Sequence, residues 1–217
     1  MKLRLRSSPA AGARRGAISK GCLVALVLLI PIVLIGGCAA GQYNSIVGKR
    51  EAVDSRWSTV ESDYTRRAEL IPSLEATVKG AANFEQETLT AVTEARAKAT
   101  SIQLDADDLD DPAKLQAYLG AQAELGGALS RLLVSVEQYP ELKATQAFRD
   151  LQVQLEGTEN RINVSRQDYI RSVQDYNTTI KRFPANLFSG LFGFDPLPQF
   201  KAEEKNLEVP VVDFSDK

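Results

Sequence analysis

Residues 46–78 read IVGKREAVDSRWSTVESDYTRRAELIPSLEATV. Apolar side chains step through this stretch by fours and threes, at Ile46, Val53, Trp57, Val60, Tyr64, Ile71, Leu74 and Val78, and two arginines, Arg50 and Arg67, occupy the same stripe. A stripe sustained for more than four heptads is the a/d seam of a helix that packs on other helices. Pro72 lies inside the seam and is expected to kink it, because proline has no N–H for the carbonyl four residues back. Gly80 offers a stop. Asn83 with Gln86 offers a fresh cap, so a second helix is expected from Phe84 to about Ala99.

Downstream the pattern repeats. Leu115, Tyr118, Gln122, Leu125, Leu129, Leu132 and Val136 form a second seam, which should end at Tyr139-Pro140, since the residue before proline avoids helical angles. A final helix from about Leu142 to Arg182 carries Phe148, Leu151, Leu155, Ile162, Tyr169, Tyr176 and Phe183 at heptad distances. Thr158, Ser165 and Ser172 share that stripe and need hydrogen-bond partners if buried. Residues 100–111 read as a loop in which Asp105, Asp107, Asp108, Asp110 and Asp111 cluster. An EF-hand needs glycine at its sixth position and glutamate at its twelfth, and neither requirement is met. The cluster reads instead as a solvated acidic loop, with Asp111 capping a helix that begins at Pro112. No strand pattern appears before the tail. The expected fold is all-α, an antiparallel four-helix up-and-down bundle over residues 42–183 that follows a membrane segment at 21–41 and precedes an aromatic-rich tail at 184–217.

The membrane segment is read from Cys22 to Ala40, 19 residues without a charge. As a helix they span ~28 Å, close to the ~30 Å of bilayer hydrocarbon. Residues 1–20 hold six Lys and Arg and no acid, a basic cytoplasmic or n-region, which leaves −8 on the remainder of a chain whose net charge is −2. The positive-inside rule keeps the basic end in the cytoplasm, so residues 42–217 are expected on the extracytoplasmic face of a bacterial membrane or envelope. A second reading gives the same topology with another anchor. The apolar run Leu23–Leu34 followed by Ile35-Gly36-Gly37-Cys38 is laid out as a signal peptide whose last four residues resemble a bacterial lipobox. Cys38 would then carry the lipid. Both anchors stand at this stage. Arg14-Arg15 lacks the hydrophobic pair expected after a twin-arginine signal.

Composition removes most chemistry. Histidine is absent, cysteine occurs only at Cys22 and Cys38, and methionine only at Met1. The commonest general base and the commonest zinc ligand are gone together, so no metal site and no cofactor are expected. An acidic body is repelled by phosphate, so no nucleic-acid partner is expected. The distinctive polar residues are Arg66, Arg67, Glu156 and Glu159, which read as structural ion pairs between helices or as the lining of a partner site. Glu156 and Glu159 share a helical face but have no base or nucleophile that would make them catalytic carboxylates. Five phenylalanines fall between Phe183 and Phe200. That segment is expected to cover one end of the bundle, with Phe188, Leu191, Phe192 and Phe194 as a candidate interaction patch toward a partner or a membrane.

The residues also carry a resemblance. Tyr43-Asn44-Ser45-Ile46-Val47, Arg66-Arg67-Ala68-Glu69-Leu70-Ile71-Pro72, Thr77-Val78-Lys79-Gly80, Tyr139-Pro140, Phe148-Arg149-Asp150-Leu151, the run Leu155 to Ile162 and Leu191-Phe192-Gly193-Phe194 together resemble the LemA family of bacterial membrane-attached proteins. Ser73 and the stretch Ala82-Asn83-Phe84 depart from that pattern. The resemblance implies a four-helix bundle on one N-terminal membrane segment and implies no enzymatic activity. Function is therefore expected to be a non-enzymatic, membrane-anchored structural or interaction module with an unknown protein partner. The alternative is a small-molecule or lipid-binding module that uses the bundle interior.

Overall fold

The computed structural model describes residues 20–80 and 84–199. The basic stretch 1–19, Asn83, Phe200 and the segment Leu207–Phe214 lie outside the described residues. The described chain is all-α. Its elements are α1 (Lys20–Lys79), α2 (Gln86–Ser101), a 3-10 turn (Ala106–Asp110), α3 (Pro112–Val136), α4 (Pro140–Lys143), α5 (Gln146–Lys181) and α6 (Ala185–Ser189). The structure divides after Gly41 into two compact units. In the first, the start of α1 is long and apolar enough to cross a membrane, and none of that window is buried. Helix continues through Pro31.

The second unit is the bundle. On α1, Ile46, Val53, Trp57, Val60, Tyr64, Ile71, Leu74 and Val78 are buried, so the heptad seam of the sequence is the core face of the helix. The core falls into two clusters. One joins Ile46–Tyr64 to the start of α3 and to Ile162–Ile180 of α5. The other joins Ile71–Val78 to α2, to Ala121–Val136 and to Phe148 and Leu155 of α5. Helices α1 and α3 therefore run one way, and α2 and α5 the other. Three ion pairs record the α1–α5 register: Lys49–Asp175, Arg56–Asp168 and Asp63–Arg161, at 3.5, 3.8 and 3.9 Å. Each step is seven residues up one helix and seven down the other, which is the flanking-charge geometry of an antiparallel coiled coil.

The helices are unequal in length, and the connections make up the difference. α2 and α3 stop short of the end where Ile46 lies. There the loop after α2 buries Leu104 and Leu109 against α1, and the Trp57 indole donates to the Leu104 carbonyl at 3.3 Å. The acidic loop has structural tasks. Asp111 caps α3 by accepting from the amides of Ala113 and Lys114, as expected. Asp110 accepts from Arg50 Nη1 at 2.6 Å, and the Ala106 carbonyl from Nη2. Asp108 pairs with Lys114, whose hydrogen bond holds the carboxyl below its usual range. Burial works against the Arg50 charge, but Asp110 and Asp54 outweigh it and hold its pKa above the ordinary value. The seam arginine is thus the clamp that fixes this loop to α1.

Three expectations need correction. The second helix starts at Gln86 with Glu85 at its cap position, and no side chain closes that cap. The last long helix begins at Gln146, not at Leu142. Residues 140–143 form the separate short α4, and Thr145 caps α5 by accepting from the Phe148 amide. Phe183 leaves the stripe and is 79% exposed, because α5 ends at Lys181 and Arg182 is extended. Helix α1 runs unbroken across Pro72 to Lys79. The carbonyl that Pro72 cannot serve is that of Ala68, and Arg96 Nε of α2 donates to it at 2.9 Å. A helix–helix contact thus replaces the missing intrahelical bond. The stripe hydroxyls solve burial locally: Thr158, Ser165 and Ser172 donate to carbonyls of Gln154, Ile162 and Tyr169 in their own helix.

This substitution of one donor for another is testable. Arg96→Met should destabilise the protein by about 1–3 kcal/mol by orphaning the Ala68 carbonyl. In a Pro72→Ala background the backbone supplies its own N–H, so the same change should cost distinctly less. Chemical denaturation of the four proteins measures the coupling; equal costs in both backgrounds would show that the Arg96 bond does not answer the proline.

Candidate functional site

The polar centre of the bundle is built on Arg67, which is 3% exposed at a seam position of α1. Its Nη1 donates to Glu159 Oε1 of α5 at 2.9 Å. Its Nη2 donates to both the main-chain and the side-chain oxygen of Gln122 on α3, each at 2.8 Å. Gln122 Nε2 in turn donates to the Ala99 carbonyl of α2 at 3.3 Å. One layer of hydrogen bonds therefore ties all four long helices. The guanidinium also lies over the Tyr64 ring, 5.1 Å from its centroid, a favourable place for a cation. Gly126 lies against the guanidinium, and a Cβ there would be in van der Waals contact with Nη1 at 3.4 Å.

Beside this layer the surface is concave. Tyr64, Arg67, Gly120, Gly126, Glu159 and Arg166 help line a groove of about 410 Å³ between α3 and α5. The absence of side chains at Gly120 and Gly126 opens it. Arg67 Nε is buried and has no hydrogen-bond partner among the described residues. Burial raises the Tyr64 and Tyr118 hydroxyls above their ordinary pKa, and the nearby arginine charge only partly offsets this.

The other sequence candidates lie apart from the layer. Glu156 is exposed and accepts from Gln152, one turn away on its own helix; it does not meet Arg67. Arg66 is exposed and takes part in none of the ion pairs found among the described residues. Cys38 is an exposed free thiol in the first unit. Phe188, Leu191, Phe192 and Phe194 gather around α6. Tyr43 packs on Phe192 and Phe194 with ring centroids 5.2 and 5.5 Å apart, and Phe188 stacks on Phe192. The tail behind them is held by Asn177, which donates to the Leu197 carbonyl and accepts from its amide, and by Tyr176, which donates to the Asp195 carbonyl. Sequence reasoning missed Asn177 and Arg96. Gln122 carried a visible signal, a polar residue on an apolar seam.

Among the described residues no group of three or more His, Cys, Asp or Glu side chains converges in metal-holding geometry. What the layer does chemically is neutralise a buried cation and fix four helices in register.

Two outcomes follow from this geometry. Arg67→Ala and Glu159→Ala should each destabilise, and their double mutant should show a coupling of about 1–3 kcal/mol, as for contacting residues in one network. Glu159 is 43% exposed, so the cost of losing it should fall below the ~3–5 kcal/mol of a fully buried pair. The surface pair Lys98–Glu124 should couple by only about 0–1 kcal/mol. Stability should also fall in alkali. Tyr64, Tyr118 and Tyr169 have raised pKa values in the fold, so above about pH 10 the unfolded chain releases these protons first. The denaturation midpoint should hold below that pH and drop above it, and a flat midpoint would contradict the burial of these hydroxyls.

Comparison with known proteins places this architecture. The chain is 32% identical over 97 residues to Magnetosome protein MamQ 2 of Paramagnetospirillum magneticum, covering 45% of this chain and 35% of that protein. It is 30% identical over 104 residues to Magnetosome protein MamQ of Magnetospirillum gryphiswaldense, covering 48% and 38%. It is 26% identical over 165 residues to Protein LemA of Metamycoplasma hominis, covering 76% and 71%. The chain thus spans little more than a third of the MamQ proteins it matches. The LemA family model matches residues 56–214, the greater part of the bundle and its tail, and the chain belongs to the LemA family.

Proposed function

We propose that this protein is a non-enzymatic helical-bundle module held at a membrane, with residues 42–217 on the extracytoplasmic side acting as a structural or interaction platform. The observation that carries the reading is the apolar start of α1, where Leu26 to Ile35 present side chains to the surroundings and nothing among the described residues covers them. An uncovered apolar surface of that length is stable in hydrocarbon and costly in water. The six basic residues ahead of it support a cytoplasmic N-terminus. Arg67 Nη1 and Nη2, Glu159 and Gln122 serve one another, which favours a structural interior over a reactive one. The attachment takes one of two forms, the retained apolar helix or, after Ile35-Gly36-Gly37, a lipid on Cys38.

A second reading draws on the groove beside Arg67. Its volume and the guanidinium at its wall suit a small anionic molecule. Thermal shift of the full chain with a panel of carboxylates tests it, and Gly120→Leu, which fills the groove, should abolish any shift that arises there.

The anchoring reading has a direct test. Full-length protein should stay with membranes through an alkaline carbonate wash, and protease added outside spheroplasts should degrade residues 42–217. A protein starting at Gln42 should be soluble and strongly helical by circular dichroism. Full-length protein in the supernatant, or protection from external protease, would refute the anchoring or the side, respectively. Lipid labelling of wild type and Cys38→Ala decides the anchor: label lost only in the variant assigns the lipid to Cys38, and label in neither assigns a retained helix.

A further inference from the structure

Exposed large apolar side chains are unevenly spread over the bundle. Of the eight among the described residues of the second unit, Val134, Val153 and Val164 are scattered on the helices, whereas Tyr43, Phe183, Leu187, Leu191 and Phe192 lie at one end, 40–79% exposed. They are not loosely hung. Tyr43 is packed edge-on against Phe192, Ser189 of α6 donates to the Ile180 carbonyl of α5, and Asn177 clamps Leu197 through both its amide and its carbonyl. The exposed face is therefore a built surface. Lys181 and Arg182 flank it and are exposed, and Asp195 is a nearby acid among the described residues.

Chain connectivity says what this surface meets. Tyr43 is two residues beyond Gly41, where the first unit ends, and two residues reach at most about 7 Å. If the apolar segment ends at the bilayer surface, Tyr43 is held at that surface by its own backbone, and its ring partners Phe192 and Phe194 come with it. Aromatic side chains are favoured at the headgroup level, and flanking Lys and Arg are drawn to anionic lipid. We propose that this end, Tyr43 with Phe183, Leu187, Leu191 and Phe192, is a membrane-docking face that seats the bundle in the headgroup region of the bilayer its N-terminal segment enters. The inference rests on the anchoring reading above. It gives the aromatic tail a lipid occupant, with a protein partner as the competing outcome.

Full-length protein carrying Cys22→Ala and Cys38→Ala is labelled with a polarity-sensitive fluorophore at one new cysteine. The positions are Val33→Cys in the apolar run, Gly190→Cys beside the patch, where a side chain meets nothing within 4 Å, and Val134→Cys near the α3 terminus opposite the patch. Each is reconstituted in phosphatidylethanolamine–phosphatidylglycerol vesicles containing brominated phosphatidylcholine. The labels at 33 and 190 should be quenched, the second at a depth of about 5–10 Å below the headgroup boundary, and the label at 134 should not. Adding Leu187→Glu and Leu191→Glu, both at exposed sites, should return the 190 label to the level of 134 with the helical spectrum unchanged. Quenching at 33 without quenching at 190 overturns the docking face and leaves the anchor standing; the patch is then open to a protein partner. Quenching at 190 that survives both glutamates also overturns the face. No quenching at 33 overturns anchor and face together.

Discussion

Burying one positive charge organises this bundle. Arg67 takes a position that the α1 seam otherwise gives to apolar residues, and a guanidinium there is costly unless its charge is paired. Glu159 and Gln122 serve Nη1 and Nη2, and Gln122 passes the constraint to the Ala99 carbonyl. The acceptors come from three other helices, so the charge is satisfied in one alignment of all four. A slip of α5 by one residue would carry Glu159 to another face and leave the cation unpaired. Apolar seams alone tolerate several registers, since leucine and isoleucine stripes can slide. Here the polar layer selects among them, and the ion pairs Lys49–Asp175, Arg56–Asp168 and Asp63–Arg161 extend the same register along the edge.

The second seam arginine solves the same problem at the other end with a different partner. Arg50 lies beyond the ends of α2 and α3, so neither of them supplies its acceptors. The acidic loop does so through Asp110 and the Ala106 carbonyl. The loop is acidic because it must neutralise a half-buried cation, present a capping carboxylate at Asp111 and hold Lys114 at Asp108. The tail closes the remaining side of this end through Leu197 and Ala185. Unequal helix lengths are thus matched by irregular segments, and both are fixed by side chains reaching for backbone groups.

Periodic features of the fold were legible in the sequence and aperiodic ones were not. The seams of α1 and α3 were read residue by residue because burial on a helix repeats every three or four positions. The partner of Arg67 was narrowed to two carboxylates. Both lie on one side of α5, but only Glu159, part-buried, reaches the guanidinium, while the exposed Glu156 pairs with Gln152. Arg96 was invisible because its acceptor exists only where Pro72 removes a donor one helix away. Asn177 was invisible because it serves the backbone of a segment with no repeat. Phe183 kept the heptad spacing after the helix had ended, and spacing says nothing once the backbone turns extended. The groove was not legible for a related reason. Its small residues, Gly120, Ala123 and Gly126, lie beside the α3 seam, on the rim where the helix meets α5.

The consequence for function follows from where polar capacity is used up. Inside the bundle, Gln122 and Asn177 spend donors and acceptors on neighbouring helices and on the tail, and Arg67 does the same through Nη1 and Nη2. An interior committed in this way holds shape, and it leaves recognition to surfaces that the packing does not need. Two such surfaces are described, and they differ in kind. The groove beside Arg67 is polar-walled and exists because glycines on α3 leave space. The aromatic end exists because the tail must turn across α5 and shows its outer rings in doing so. Only the second is tied by a short length of chain to the apolar segment of α1. A fold that fixes its own register so firmly holds the exposed rings of that end in one place relative to the rest of the bundle.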